Sequence, residues 1–399
     1  MSTSSLQSPT SSFHDKKYWI ALAHCEALTP LYWKQLLAVF PSAEAIWHAS
    51  QKDLEHAGTT PAIVADLIQI RKTVDPDVVM DRLIKEHVEA ILLNDESYPR
   101  LLKEITDPPY VLFVEGELFK EERVGALGVV GTRKMSSYGQ TVLPPIIAEC
   151  ARTGLTIVSG LALGIDGLAH ATTIENGGRT IAAIGSGIDR ASLYPWQHRQ
   201  LADRIVASGG ALVSEYPLGT PPLAHHFPLR NRIISGLSLG VLVTEAPQKS
   251  GALITAFAAL DQNREIFAIP GPIHHPNSWG PHDLLKRGAI PVTEARDILH
   301  ALPILSLAET PQRQMPNQEK APALSSETEA AILALLTNET LHIDDLVRRS
   351  NLTPNEIMST LVLMEMDGKI RNVGGAQYTL ETVEKLLRYP SSERSESRS

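Results

Sequence analysis

The stretch VVGTRKMSSYGQ (residues 129–140) begins as an apolar run, breaks at Gly131 and then sets Arg133, Lys134, Ser136 and Ser137 where a helix should begin. A buried strand, a glycine and a fresh helix N-terminus make an anion site, because the first N–H groups of a helix lack internal partners and its dipole favours negative charge. Gly131 lets the backbone turn tightly. Arg133 offers a planar fork matched to phosphate oxygens, and Ser136 or Ser137 is placed to cap the helix. Three anions fit: a cofactor pyrophosphate, a small nucleotide awaiting chemistry, and the backbone of a nucleic acid.

Outward from this stretch the pattern repeats. From residue 109 to 302, short β-branched runs alternate with helical segments: VLFVEG, GALGVVG, LTIVSG, RTIAAIGSG, ALVSEYP, LGVLVTEAP and EIFAIPG. Apolar along their length and mostly separated by one helix each, they read as parallel strands buried on both faces. The expected fold is therefore α/β, a doubly wound sheet whose ligands sit at the carboxyl ends of the strands.

Several strand ends carry the same kind of residue. VSGLALGIDGLAH ends a strand with Ser159 and Gly160 and sets Gly164 and Asp166 before the next helix; GSGIDRASLYP gives Gly185, Gly187, Asp189 and Tyr194; TEAPQKSGALITA gives Lys249, Ser250 and Gly251 at a helix start, with Thr255 one turn in. Four strands presenting glycines and hydroxyls at one rim are more specific than any single loop. Asp166 and Asp189 are equally well read as helix caps. Arg230, Asn231 and Arg232 in FPLRNRIISGLS fit either phosphates or the carboxylates Glu215 and Glu245.

The flanks differ in character. Residues 18–71 show helical periodicity with Thr, Ser and Pro punctuation, and LEHAGTTPAIVADLIQIR couples a helix end, a Gly turn and a second helix in the manner of a helix-hairpin-helix or SAM-like module. Its turn carries no Lys or Arg, which favours packing over DNA contact. Residues 327–380 run helix, helix, turn, helix, then two short strands around Gly374 and Gly375, the order of a winged helix. The third of those helices carries Glu356, Glu365 and Asp367 and no Lys or Arg, which favours a protein contact over a DNA groove. The expected divisions are a disordered leader (1–15), a helical domain and lead-in segment (16–105), the sheet domain (106–303), a polar, Pro-rich linker (304–326), the winged helix (327–382) and a disordered tail (383–399).

The bulk numbers limit the function. At 399 residues, two or three domains are expected, and a net charge of −9 leaves room only for a local basic groove. Two cysteines, Cys25 and Cys150, without metal-ligand spacing fit a reduced cytosol. No signal-like apolar stretch and no run of about 20 apolar residues is present, so a cytoplasmic location without membrane contact is expected. The first turn reads Gly128, Gly131, Arg133, and Arg190 stands where a G-x-G-x-x-G would place its third glycine after Gly185 and Gly187. The second strand closes on Ser159 rather than on an acidic ribose partner, so bound NAD is not expected. There is no P-loop and no G-x-S-x-G elbow. His225, His226, His274, His275 and His282 lack the spacing of a known metal site.

At this point GVVGTRKMSSYG, VSGLALGIDGLAH, GSGIDRASLYP, SEYPLGTPPLAHHFPLRNRIISGLS, VTEAPQKSGALITA and IFAIPGPI, in this order and spacing, resemble the bacterial DNA-processing protein A family, DprA or Smf. The resemblance covers the middle of the chain and extends to both flanks. It implies an extended Rossmann-like, mostly parallel sheet in a homodimer that binds and protects incoming single-stranded DNA during natural transformation and helps load the RecA recombinase, without enzymatic turnover or cofactor. One departure is SWGPHD, which places His282 where the family usually has Asn.

The resemblance further implies Arg133 and Lys249 as principal phosphate contacts, with Arg230 and Arg232 extending a basic surface. The expected pocket is Gly131, Arg133, Lys134, Ser136, Ser159, Gly160, Gly164, Asp166, Gly185, Gly187, Arg230, Asn231, Arg232, Lys249, Ser250, Gly251 and Thr255, with no catalytic group and no metal. Two alternatives remain from the residues: a nucleotide-cleaving enzyme on a related fold, and a regulatory nucleotide sensor. Against the first, the chain lacks the P-G-G-x-G-T-x-x-E run of the lysine-decarboxylase-like phosphoribohydrolases.

Overall fold

The computed structural model describes residues 13–118, 125–303, 326–337, 339–350, 352–366, 369–374 and 376–380. Most of the expected leader, nearly all of the linker and the whole tail lie outside the described residues, as does Asp367. The chain divides into two units, Met1–Thr310 and Pro311–Ser399.

The first unit opens with six helices: α1 (Phe13–Leu22), α2 (Pro30–Val39), α3 (Ala43–His48), α4 (Gln51–His56), α5 (Pro61–Thr73) and α6 (Pro76–Lys85). Their starts follow from sequence. Thr29, Thr60 and Asp75 each precede a proline at the first helical position, where the missing N–H costs nothing. Ser42, Ser50, Thr60 and Asp75 accept hydrogen bonds from first-turn amides, each cap contributing about 1 kcal/mol.

These helices do not keep a core to themselves. Trp19, Trp33, Leu36, Trp47 and Leu54 are continuous with Ala90, Val111, Phe113, Ala182 and Ile184 of the sheet, so helices and sheet share one apolar layer. A stack of Trp19 on Trp33 (5.0 Å between ring centroids) and Trp33 on Tyr110 (5.5 Å) joins the two.

The sheet has nine strands: β1 (Val88–Leu92), β2 (Val111–Gly116), β3 (Ala126–Val130), β4 (Thr156–Ser159), β5 (Thr180–Ile184), β6 (Ala211–Ser214), β7 (Gly240–Val243), β8 (Glu265–Ala268) and β9 (Ile290–Pro291). Their order is β1-β2-β6-β5-β4-β3-β7-β8-β9. All seven expected strands are present. One orientation differs from expectation: VLFVEG, as β2, runs antiparallel to β6. It follows β1 as an antiparallel pair and has no helical crossover to β6, so nothing imposes the parallel sense. β1 itself falls within the stretch expected to be helical domain and lead-in.

Helices α7 (Arg100–Lys103) to α14 (Ala295–Ala301) flank this sheet. They are α8 (Ser137–Arg152), α9 (Ile165–Glu175), α10 (Arg199–Ala207), α11 (His226–Gly236), α12 (Gly251–Asp261) and α13 (Trp279–Lys286) between those two. Successive residues of one strand face opposite layers: Val129 and Leu242 pack with Leu143 and Ile147 of α8, whereas Val130 and Val241 pack with Ile234 of α11 and Ala256 of α12. The chain steps from β3 out to β6 and then returns through α11 to place β7 on the other side of β3. The connections leaving β3 and β7 therefore diverge, and a crevice opens between their carboxyl ends.

The second unit contains α15 (Ser326–Leu336), β10 (Leu341–His342), α16 (Ile343–Ser350), α17 (Pro354–Met366), β11 (Ile370–Gly374) and β12 (Gln377–Leu380), with strand order β10-β12-β11. Ile332, Leu336, Leu346, Ile357, Leu361 and Ile370 form its core. This is the expected winged helix. Among the described residues no helix is long and apolar enough to cross a membrane.

Candidate functional site

The crevice between β3 and β7 holds a cavity of about 840 Å³, lined by residues 130–134, the first turns of α11 and α12, and Ala162, Asp166, Tyr194, Pro222 and Asn277. Gly131 is required at its floor: a Cβ there would lie 2.5 Å from Cγ1 of Ile165 in α9. The loop beyond is locked by Glu245, which leaves β7 buried. Its carboxylate accepts from the Ser136 amide (2.8 Å) and hydroxyl (2.5 Å), while its carbonyl accepts from the Thr132 amide (2.7 Å). Ser136 also caps α8 by accepting from the Gly139 amide. Ser136 is thus committed to the loop and does not line the cavity.

Behind the floor, Arg230 and Asp166 form a buried base. Arg230 is 4% exposed and donates to the carbonyls of Gly160 (2.7 Å) and Ala183. Burial lowers its pKa to about 10, with Arg133 acting in the same direction and Asp166 opposing. It therefore keeps its charge at neutral pH. Burial raises the Asp166 carboxyl, against the pull of Arg230 and of the Gly160 and Ala162 amides that donate to it. Asp166 is thus engaged by two amides within the field of Arg230, and Glu245, behind the loop, by Ser136. Through these bonds they hold the backbone of residues 132–136 and 160–162 in place.

The rim carries the free charge. Arg133, Lys134 and Lys249 are exposed, line the cavity and have no carboxylate partner among the described residues. Arg133 lies over the face of Phe227 (5.5 Å to the ring centroid), and Arg230 approaches the same ring (5.9 Å). Tyr194 stands 5.7 Å from Phe227 at 58°. At the start of α12, Ser250 caps by accepting from the Ala252 amide, and nothing lies within 4 Å of where a Cβ on Gly251 would be. Since no fold contact demands that glycine, its bareness leaves space for a ligand at the helix N-terminus.

The expected pocket residues sort accordingly. Gly131, Arg133, Lys134, Asp166, Arg230, Asn231, Lys249, Ser250, Gly251 and Thr255 line the cavity, and Gly160 lines a small recess beside it. Ser159, Gly164, Gly185 and Gly187 do not. Ser159 donates to the Val129 carbonyl of the neighbouring strand (2.6 Å). Gly164 turns the chain into α9 at φ +81°, Gly185 packs under Phe227, and Gly187 packs against Gly219 and Pro217.

The triplet Arg230, Asn231, Arg232 requires correction as a basic surface. Arg230 is sealed in the floor. Arg232 is only 9% exposed and outside the cavity, with its fork on both oxygens of Glu215 (2.7 Å each) and its Nε on Asp107 (2.9 Å). Asn231 remains at the cavity wall, donating to the Gly251 carbonyl (3.2 Å). Phe227 and Asn277 were missed. An aromatic in HHFPLRNR reads as core, and only the neighbouring arginines signal a stacking face. His282, at the departure from the family pattern, contacts the Gly271 carbonyl through Nε2 (3.0 Å).

A family model described as DNA recombination-mediator protein A matches residues 89–303, and one described as the DprA winged helix domain matches residues 316–376. The chain is 37% identical over 371 residues to Protein Smf of Escherichia coli (strain K12), covering 92% of this chain and 96% of that protein. It is 45% identical over 219 residues to DNA processing protein DprA of Bacillus subtilis (strain 168), covering 55% and 73%. The X-ray structure of DNA processing protein A from Streptococcus pneumoniae superposes with a TM-score of 0.60 at 35% identity, over 72% of this chain and 98% of that one. With both units matched and a relative aligned over nearly its full length, the chain belongs to the DNA recombination-mediator protein A family, known as DprA or Smf.

Proposed function

We propose that this protein binds single-stranded DNA in the β3/β7 crevice, protects it, and passes it to the RecA recombinase during natural transformation, without catalysing a reaction on it. The observation that carries this reading is that Arg133, Lys134 and Lys249, which have no carboxylate partner among the described residues, line one cavity with two aromatic rings, the half-buried Phe227 beneath Arg133 and the exposed Tyr194. Cations alone suit any phosphate. An aromatic face is useful only to a base that is not already stacked in a duplex, which favours a single strand. The names of the family and of its relatives support the recombination and DNA-processing context.

Replacing Phe227 by Ala is expected to weaken binding of a single-stranded oligonucleotide about tenfold, since base–aromatic stacking contributes about 1–3 kcal/mol per base. Fluorescence anisotropy checks this, with Phe227→Tyr retaining most of the affinity. A mononucleotide that competes as well as an oligonucleotide would favour the sensor reading instead.

The homodimer belongs to the same proposal. Ile254, Phe257 and Leu260 lie on one side of α12 at 41–48% exposure, an apolar strip that a second copy would cover. Phe257→Asp is expected to give a monomer by sedimentation at concentrations where the unaltered chain is dimeric. For the winged helix a protein contact is the favoured role. On α17, Met358 and Glu365, seven residues apart and so on one side of the helix, are both exposed, and Glu365 accepts from the Asn372 amide of the wing, an apolar and acidic pair unsuited to a DNA groove.

A further inference from the structure

The pair His225–His226, whose spacing matches no known metal motif, gains a third partner in space. Glu26, in the turn between α1 and α2, points its Oε2 at both rings, 3.4 Å from Nε2 of His226 and 4.0 Å from Nε2 of His225. One ligand atom from each residue lies within 4.8 Å of the others. We propose that Glu26, His225 and His226 form a site for a transition-metal dication of the Zn²⁺ class.

Geometry favours an ion over a simple hydrogen bond. The Glu26–His226 separation is long for a charge-assisted N–H···O bond, and the His225 separation is no hydrogen bond at all. Around a tetrahedral ion with bonds of about 2.0–2.1 Å, neighbouring ligand atoms stand about 3.4 Å apart. The shortest separation already has that value, and the others need only a modest closure by side chains that are free to move. The two imidazole rings lie edge to face, with centroids 4.5 Å apart and planes at 76°, so neither ring blocks the other by stacking.

His226 is 1% exposed and its ring is held face-on against Tyr216, with centroids 4.0 Å apart. Glu26 and the His225 side chain, 44% and 64% exposed, leave the remaining coordination position open to water. Two imidazoles and one carboxylate suit Zn²⁺, Cu²⁺ or Ni²⁺, whereas Mg²⁺ and Ca²⁺ take all-oxygen sets. Nδ1 of His226 has no hydrogen-bond partner among the described residues, so the ring lacks the outer-shell acceptor that tightens permanent sites. The ion held here is therefore exchangeable. It ties the α1–α2 turn to the first turn of α11, one residue ahead of Phe227.

The test is calorimetric titration of ZnCl₂ into the full chain after chelator treatment and dialysis, with no DNA present, so that it stands apart from the reading of the crevice. One equivalent of saturable binding is expected, weakened about tenfold or more in Glu26→Gln and in His225→Ala. Both altered side chains are largely exposed, and circular dichroism verifies the fold. His275→Ala, in the other adjacent histidine pair, is expected to bind as the unaltered chain does. Absence of saturable binding, undiminished binding in either Glu26→Gln or His225→Ala, or loss of binding in His275→Ala would each overturn the site.

Discussion

Alanine at both Arg133 and Lys249 is expected to weaken binding of a single-stranded oligonucleotide about 100-fold or more at moderate salt, with the fold intact. Neither side chain has a carboxylate partner among the described residues, and both are exposed at the rim. Their removal therefore leaves no buried charge behind. Each charge-assisted contact to a phosphate contributes about 1.5–3 kcal/mol, which is about tenfold or more in affinity. The salt dependence should flatten as well, because each lost phosphate contact on a single strand removes about 0.7 from the slope of log K against log salt. Anisotropy titrations at several salt concentrations read both quantities. A folded double variant that binds like the unaltered chain would place the DNA elsewhere.

Arg232→Ala is expected to do the reverse, lowering stability by about 3 kcal/mol in urea unfolding while leaving the oligonucleotide affinity of the folded protein within about twofold. Its side chain is 11% exposed, and the guanidinium clamps Glu215, whose side chain is itself only 19% exposed. Without the arginine, a half-buried carboxylate faces no counter-charge. Asp107, at 51% exposure, rehydrates and limits the loss. Lysine should rescue only in part, since a point charge does not reproduce two parallel bonds to one carboxylate. Unchanged stability combined with lost DNA binding would make Arg232 a contact residue after all.

These opposite expectations for two arginines mark where sequence reading reached its limit. Strand ends, glycine turns and helix caps are local, and β3, Gly131 and the α8 cap at Ser136 could be read from one stretch of chain. Which charges remain free is not local. Arg232 meets Asp107 from 125 residues away, and Glu245 reaches Ser136 across 109. Neither pairing leaves a periodic trace in sequence. The same holds for Glu26, 200 residues from His226. Phe227 is hidden for a different reason, because a single aromatic between His226 and Pro228 has the same pattern whether it fills a core or lines a crevice. The helical front was legible in its caps, but its continuity with the sheet was not, since Trp33 and Tyr110 stack only after the chain has folded.

The most direct test of the central claim is equilibrium binding of matched single- and double-stranded oligonucleotides across a salt series, with Arg133→Ala measured alongside. A crevice that joins free cations to an aromatic face predicts a clear preference for the single strand, affinity that falls steeply with salt, and a loss of about tenfold or more with a shallower slope in the variant. Equal or tighter binding of the duplex, with Arg133→Ala indistinguishable from the unaltered protein, would contradict it.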